Sequence, residues 1–145
     1  MSLTTSLRLL TSALAMSHGP APAWAQSTPA PALNLELNAA QPSEKGCRLT
    51  FVVNNALGAD LSKAAFEIAL FNEAGVVDRL TVLDFKDLPA GKTKVTRFDL
   101  AGADCGKLSR VLINSTTECA GNGVEPAACM RGLKTSTKTA IAFGV

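Results

Sequence analysis

From Leu33 onward the chain alternates apolar and polar residues in short runs, and each run ends at a turn signal. Successive side chains of an extended strand point to opposite faces, so this period specifies strands with one dry face and one wet face. Leu33, Leu35 and Leu37 alternate with Asn34, Glu36 and Asn38. Leu49, Phe51 and Val53 alternate with Arg48, Thr50 and Val52, and Phe66, Ile68 and Leu70 alternate with Glu67, Ala69 and Phe71. A helical period of 3.6 does not fit these stretches.

The punctuation between runs is equally regular. Pro42-Ser43-Glu44-Lys45-Gly46, Asn54-Asn55, Leu57-Gly58-Ala59-Asp60 and Leu88-Pro89-Ala90-Gly91 are turn or loop signals. Asn72-Glu73-Ala74-Gly75, set between two apolar runs, reads as a hairpin turn with Gly75 at positive φ. Val76 to Phe85 is the return strand. Its pattern slips near Leu83-Asp84, because Val82 and Phe85 cannot share a face at strict period two, so a bulge is expected there. Lys92 to Leu100 suits an edge strand guarded by lysines. Leu108 to Thr117 begins apolar on both faces, as a central strand should. Pro126 to Met130 has room for a helical turn, and the alanines of residues 56–69 leave room for a short helix. Leu133 to Phe143 closes the chain as one Thr-rich strand. The expectation is an all-β, immunoglobulin-like β-sandwich of about seven strands, with an open barrel as the alternative.

Ahead of this domain stands a different composition. Arg8 supplies a positive charge, Leu9, Leu10, Ala13, Leu14, Ala15 and Met16 a short apolar core, and Ala23-Trp24-Ala25 a small-residue cleavage pattern. That core is far below the roughly 20 residues of a transmembrane helix. The organisation expected is a cleavable signal peptide over residues 1–25, a flexible Pro/Ser/Thr linker over 26–32 and a single immunoglobulin-like domain over 33–145. Arg8 has no arginine neighbour, which argues for the general secretory route into the periplasm or beyond.

All four cysteines, Cys47, Cys105, Cys119 and Cys129, lie downstream of the signal. In an exported chain they imply two disulfides, and three pairings are open. Cys119–Cys129 is favoured as a local clamp around a Gly/Asn/Pro-rich loop, and Cys47–Cys105 as the long-range tie. No C-x-x-C spacing exists to suggest zinc or a redox pair.

The one histidine (His18) and the one tryptophan (Trp24) fall within the signal, and the chain has no tyrosine. A mature chain without histidine has no Ser-His-Asp or Cys-His arrangement. Asp78, Asp84, Asp87, Asp99 and Asp104 are the carboxylates a glycosidase would draw on, and they read as solvated turn and strand-end residues. Lys92, Lys94 and Arg97 with Arg131, Lys134 and Lys138 form a basic group without the aromatic interleaving nucleic acid requires. The net charge of +2 is too small to argue for a polyanion. No cofactor motif is present. Phe71, Val77 and Leu83 are the candidate interface, an apolar patch on the outer side of the hairpin.

The stretches E-K-G-C-R-L-T-F-V-V-N-N, L-F-N-E-A-G-V-V, L-P-A-G-K-T and R-V-L-I-N-S-T-T-E-C resemble a family of small exported bacterial proteins of unknown function. Some members of that family are labelled as carrying twin-arginine signals, from which the solitary Arg8 departs. The resemblance spans most of residues 33–145 and implies fold and compartment, with no catalytic residue. The functional expectation is a non-enzymatic exported module of the cell envelope with an envelope-protein partner, itself a monomer or weak dimer. The alternative is a carrier of a small apolar ligand held between the sheets.

Overall fold

The computed structural model describes Gly19 and residues 23–145, so the expected signal over 1–25, with Arg8 and His18, lies almost wholly outside the described residues. Residues 23–31 carry no regular secondary structure and are exposed. Eight strands follow: β1 (Ala32–Pro42), β2 (Gly46–Ala56), β3 (Lys63–Asn72), β4 (Val77–Asp84), β5 (Thr93–Ala101), β6 (Leu108–Ala120), β7 (Leu133–Thr137) and β8 (Ala142–Gly144). A single 3-10 turn, Cys105–Lys107, leads into β6, and one short helix, α1 (Ala128–Arg131), follows it. The strands form two four-stranded sheets, in the orders β5-β2-β1-β7 and β4-β3-β6-β8. The fold is an all-β sandwich.

The inner faces are those the alternation specifies. Leu33, Leu35 and Leu37 of β1, Leu49, Phe51 and Val53 of β2, and Phe66, Ile68 and Leu70 of β3 are all 0–1 % exposed. Phe51 sits at the centre of the interior, with its ring centroid 5.5 Å from Phe85, 5.9 Å from Phe98 and 5.4 Å from Phe143. Phe85 in turn meets Phe66 at 6.1 Å and Phe98 at 5.0 Å. Edge-to-face pairs of this kind add about 0.5–1.5 kcal/mol each beyond area burial. Five of the six phenylalanines thus join in the core, and Phe71 is the one left out.

The hairpin between β3 and β4 turns at Asn72–Gly75. The Asn72 carbonyl accepts from Gly75 at 2.9 Å, its side chain accepts from Ala74 and Val76, and Gly75 takes φ 74°. An L side chain at that φ is strained, which is why glycine stands there. Gly46 meets a different demand: a Cβ there would collide with the Leu100 carbonyl oxygen where β2 runs against β5.

Three expectations are corrected. The closing segment is not one strand: β7 pairs parallel with β1 in the first sheet, and β8 pairs parallel with β6 in the second. Between them the Thr137 hydroxyl accepts from the Thr139 N–H, and the Thr139 hydroxyl accepts from the Ile141 N–H, each at 3.1 Å. Such local side-chain bonds compete with the ladder and redirect the chain. The Ala-rich stretch is extended, since Leu61 bridges to Leu88 and Lys63 onward pairs with β6 while Ala65 onward also pairs with β4. Finally, the register of β4 does not shift at Leu83-Asp84. It shifts between Leu70 and Phe71, where Asp78 is the extra residue.

The disulfides are Cys47–Cys105 and Cys119–Cys129. The first joins β2 of one sheet to the turn that enters β6 of the other. The second pins α1 to the end of β6. They fit an oxidising compartment. Asn55, a loop signal in the sequence, is 1 % exposed. Its amide donates to Leu88 O at 2.7 Å and Ala59 O at 2.9 Å, and its oxygen accepts from the Leu57 N–H at 3.0 Å. One side chain therefore holds two loops at one end of the sandwich.

Candidate functional site

The outer face of the β4-β3-β6 sheet is the surface feature that folding leaves unexplained. Ladder partners share a face, and the register pairs Ala69 with Leu80 and Leu112, Glu67 with Val82, and Phe71 with Val77 and Arg110. These residues lie opposite to Phe66, Ile68 and Leu70, so they point outward. Leu80 is 55 % exposed, Val82 51 % and Val77 49 %, while Phe71 and Leu112 are half-buried. Ala69, only 3 % exposed, floors the row between Leu80 and Leu112. The Arg110 guanidinium lies 5.6 Å from the Phe71 ring centroid and caps one end. Asn114 donates to Glu67 at 2.6 Å and closes the other.

Of the expected interface residues, the structure brings Phe71 and Val77 together as direct cross-strand partners. Leu83 does not join them: it pairs with Phe66 and is 2 % exposed, in the core. The alternation of β4 explains this. Leu83 and Phe85 face inward two residues apart, so Val82 and Leu80 must face outward, and no slip at Leu83-Asp84 is needed. The bulge at Asp78 then returns Val77 to the outer face. Leu80 and Val82 are the patch residues that sequence reasoning missed, and period two counted back from Phe85 would have found them.

Several of the charged side chains are held in ion pairs. Arg48 donates to both Asp99 oxygens at 2.9 and 3.0 Å, which holds Asp99 below the ordinary carboxylate range and raises Arg48. Lys86 bonds Asp84 through its ammonium and its N–H, both at 2.8 Å, lowering Asp84. Lys63 is raised by Glu118 at 2.8 Å, with Asp84 at 3.9 Å contributing. Asp87 pairs with Lys94, Asp78 with Arg79 and Glu125 with Arg131, and Asp104 accepts from the Gly106 N–H. Among the described residues no three His, Cys, Asp or Glu side chains gather as a metal site would require. The Ser109 hydroxyl donates to Asn72 O at 2.6 Å, which ties β6 to the end of β3.

The interior between the sheets is filled by the phenylalanine cluster and by leucines at 0–2 % exposure. A depression of about 600 Å³ lies outside it, beside α1, lined by Pro31, Leu57, Val124, Ala128 and Arg131. No helix among the described residues is long and apolar enough to cross a membrane.

No protein-family model and no curated protein matches the chain. Among solved structures, the Salmonella enterica trimeric lipoprotein SadB is similar over 48 % of this chain and 40 % of its own, at 18 % identity and a TM-score of 0.42. This chain therefore spans well under half of that protein, and a likeness of this degree carries no functional inference.

Proposed function

We propose that the chain is a non-enzymatic exported module of the cell envelope that works through the outer face of its β4-β3-β6 sheet. The observation that carries this reading is the stripe of Val77, Leu80 and Val82, each about half exposed, beside Phe71 and Leu112. Apolar side chains left half exposed on a solvent face add less to folding than buried ones, and a contiguous stripe of them is a feature of interaction surfaces. The signal-like residues 1–25 and the two disulfides support export by the general secretory route to the periplasm or beyond. Occupied ion pairs and a domain without histidine support a non-catalytic role. Membership of the exported family that the sequence resembles is part of the same proposal. The filled interior gives the carrier reading no support.

A photo-crosslinking amino acid placed at Leu80 in cells is expected to yield discrete adducts. The same probe at Val95, exposed on the other sheet, is expected to yield none. Adducts from Val95 alone, or from neither position, would sink the reading.

A further inference from the structure

We infer that the two disulfides are made on the emerging chain in N-to-C order, Cys47–Cys105 before Cys119–Cys129, by a thiol oxidase of the receiving compartment, with no disulfide isomerase needed afterwards. This rests on the reading of the chain as exported and names the class of enzyme that must act on it there. Four cysteines allow three pairings, and the one formed joins the first to the second and the third to the fourth. Everything that brings Cys105 to Cys47 lies N-terminal to Cys119. β5 runs along β2 with Leu100 opposite Cys47 and Ala101 opposite Gly46, and the Gly102 N–H donates to Lys45 O at 2.8 Å. The Ala103 N–H donates back to Leu100 O at 3.2 Å, and the chain then enters the 3-10 turn that carries Cys105. β6, β7 and β8 follow Cys105 and contribute none of these bonds. The second bridge spans 10 positions and needs only the end of β6 and α1. Once the sheets close, the sulfurs are out of reach: Cys47 and Cys129 are 0 % exposed and Cys119 is 7 % exposed. An oxidase that is itself a protein therefore acts before the sandwich is complete.

The chemistry is a thiol–disulfide exchange. The Cys47 thiolate attacks the oxidase's own disulfide, which forms a mixed disulfide and frees one oxidase thiol. The Cys105 thiolate then attacks the Cys47 sulfur, forming Cys47–Cys105 and expelling the second oxidase thiol. Two electrons and two protons pass from the two cysteines to the oxidase, which leaves as a dithiol. Cys119 and Cys129 repeat the exchange. Order matters because loop closure in a free chain works against the native set. Closing Cys105 onto Cys119, 14 positions apart, is favoured over closing it onto Cys47, 58 positions apart, by about eightfold. Oxidation of the whole chain at once therefore feeds a wrong bridge that would have to be reshuffled. Emergence removes that competitor. At a synthesis rate of about 5–20 residues per second, Cys105 precedes Cys119 by about 1–3 s. Chain closure takes less than about 100 μs, so Cys47 meets Cys105 before a rival thiol arrives.

The test expresses the full chain with Cys47→Ser in a bacterial host that exports it, has a thiol oxidase and lacks a disulfide isomerase. Free thiols are alkylated before lysis, and bridges are mapped by mass spectrometry. With its partner gone, Cys105 waits for the next thiol, so the expected main product is Cys105–Cys119 with Cys129 alkylated. Pairing directed by the finished fold gives Cys119–Cys129 with Cys105 alkylated, and that result overturns the inference. A variant that merely fails to fold does not imitate the expected product, since random closure favours Cys119–Cys129 over Cys105–Cys119 by about 1.7-fold. The unsubstituted chain supplies the second measurement. Both native bridges are expected in undiminished yield without the isomerase, and their loss is expected without the oxidase. Scrambled bridges in the first host, or full yield in the second, overturn the inference while leaving export intact. Chains that keep residues 1–25 with all four cysteines alkylated would overturn the export reading and this inference together.

Discussion

The two sheets of this sandwich have equivalent inner faces and opposite outer ones. Outside the β5-β2-β1-β7 sheet, polar side chains answer one another: Arg48 with Asp99 at 2.9 Å, Asn34 with Asn54 at 3.3 Å, Asn54 with Thr93 at 3.3 Å. A single apolar pair interrupts them, the well-exposed Val95 opposite the half-buried Val52. Outside the β4-β3-β6-β8 sheet, Val77, Leu80 and Val82 stand half exposed along an edge strand with Phe71 and Leu112 beside them. Both surfaces obey the same alternation and meet the same solvent, so the requirement to fold does not account for the difference. An antiparallel sheet with a solvated outer face is ordinarily polar on that face, as the first sheet is. The second sheet instead carries apolar side chains on that face.

The comparison can be broken most forcefully by loosening the two sheets from one another. Replacing Cys47 and Cys105 together by Ser opens a loop spanning 58 residues and is expected to cost about 4 kcal/mol in urea unfolding. The same change at Cys119 and Cys129, 10 residues apart, costs about 2.7 kcal/mol. Similar losses from the two pairs would show that the first does not act as the long-range tie.

Next comes the inner face of β4 itself. Leu83→Ala, at a residue 2 % exposed beside Phe66, is expected to cost about 2–5 kcal/mol. A change below about 1 kcal/mol would return Leu83 to the outer face and undo the assignment of the stripe. Asn55→Ala removes an amide that donates to the buried Leu88 carbonyl and the partly buried Ala59 carbonyl and is expected to cost about 1–3 kcal/mol, read as a lowered unfolding midpoint.

A smaller effect separates the polar outer face from the apolar one by pH. The Arg48 hydrogen bonds lower Asp99 in the folded state, so its contribution is present above the ordinary carboxylate pKa of about 3.9 and is lost as pH falls through the lower folded value. Asp99→Asn should therefore reduce the steepness of acid destabilisation slightly, measured by urea unfolding between neutral and acid pH. The pair is solvent-exposed, so the change is small. No shift in the acid limb would mean the pair adds nothing to stability.

Much of this architecture is legible from period two. The inner residues of β1, β2 and β3 follow directly from the alternation, and the β3–β4 turn follows from Asn72 to Gly75. The end of the chain is not legible, because the hydroxyls of Thr137 and Thr139 capture backbone N–H groups that a strand reading assigns to a ladder. Asn55 reads as a loop residue, and its role as a buried hub depends on Leu88 arriving from 33 positions away. The patch is half legible. Phe71 and Val77 follow from the hairpin, but the apolar run Leu80 to Phe85 permits two registers, and only the pairing of Leu83 with Phe66 selects one.

The central claim is that the outer stripe of the second sheet is surplus to folding. It is tested most directly by urea unfolding of Leu80→Thr/Val82→Thr, which removes apolar surface while keeping β propensity. The protein should be held below about 1 μM so that self-association does not contribute. The account predicts a stability within about 0.5 kcal/mol of the unsubstituted protein. A loss of about 2 kcal/mol or more would contradict it and make the stripe part of a folded core.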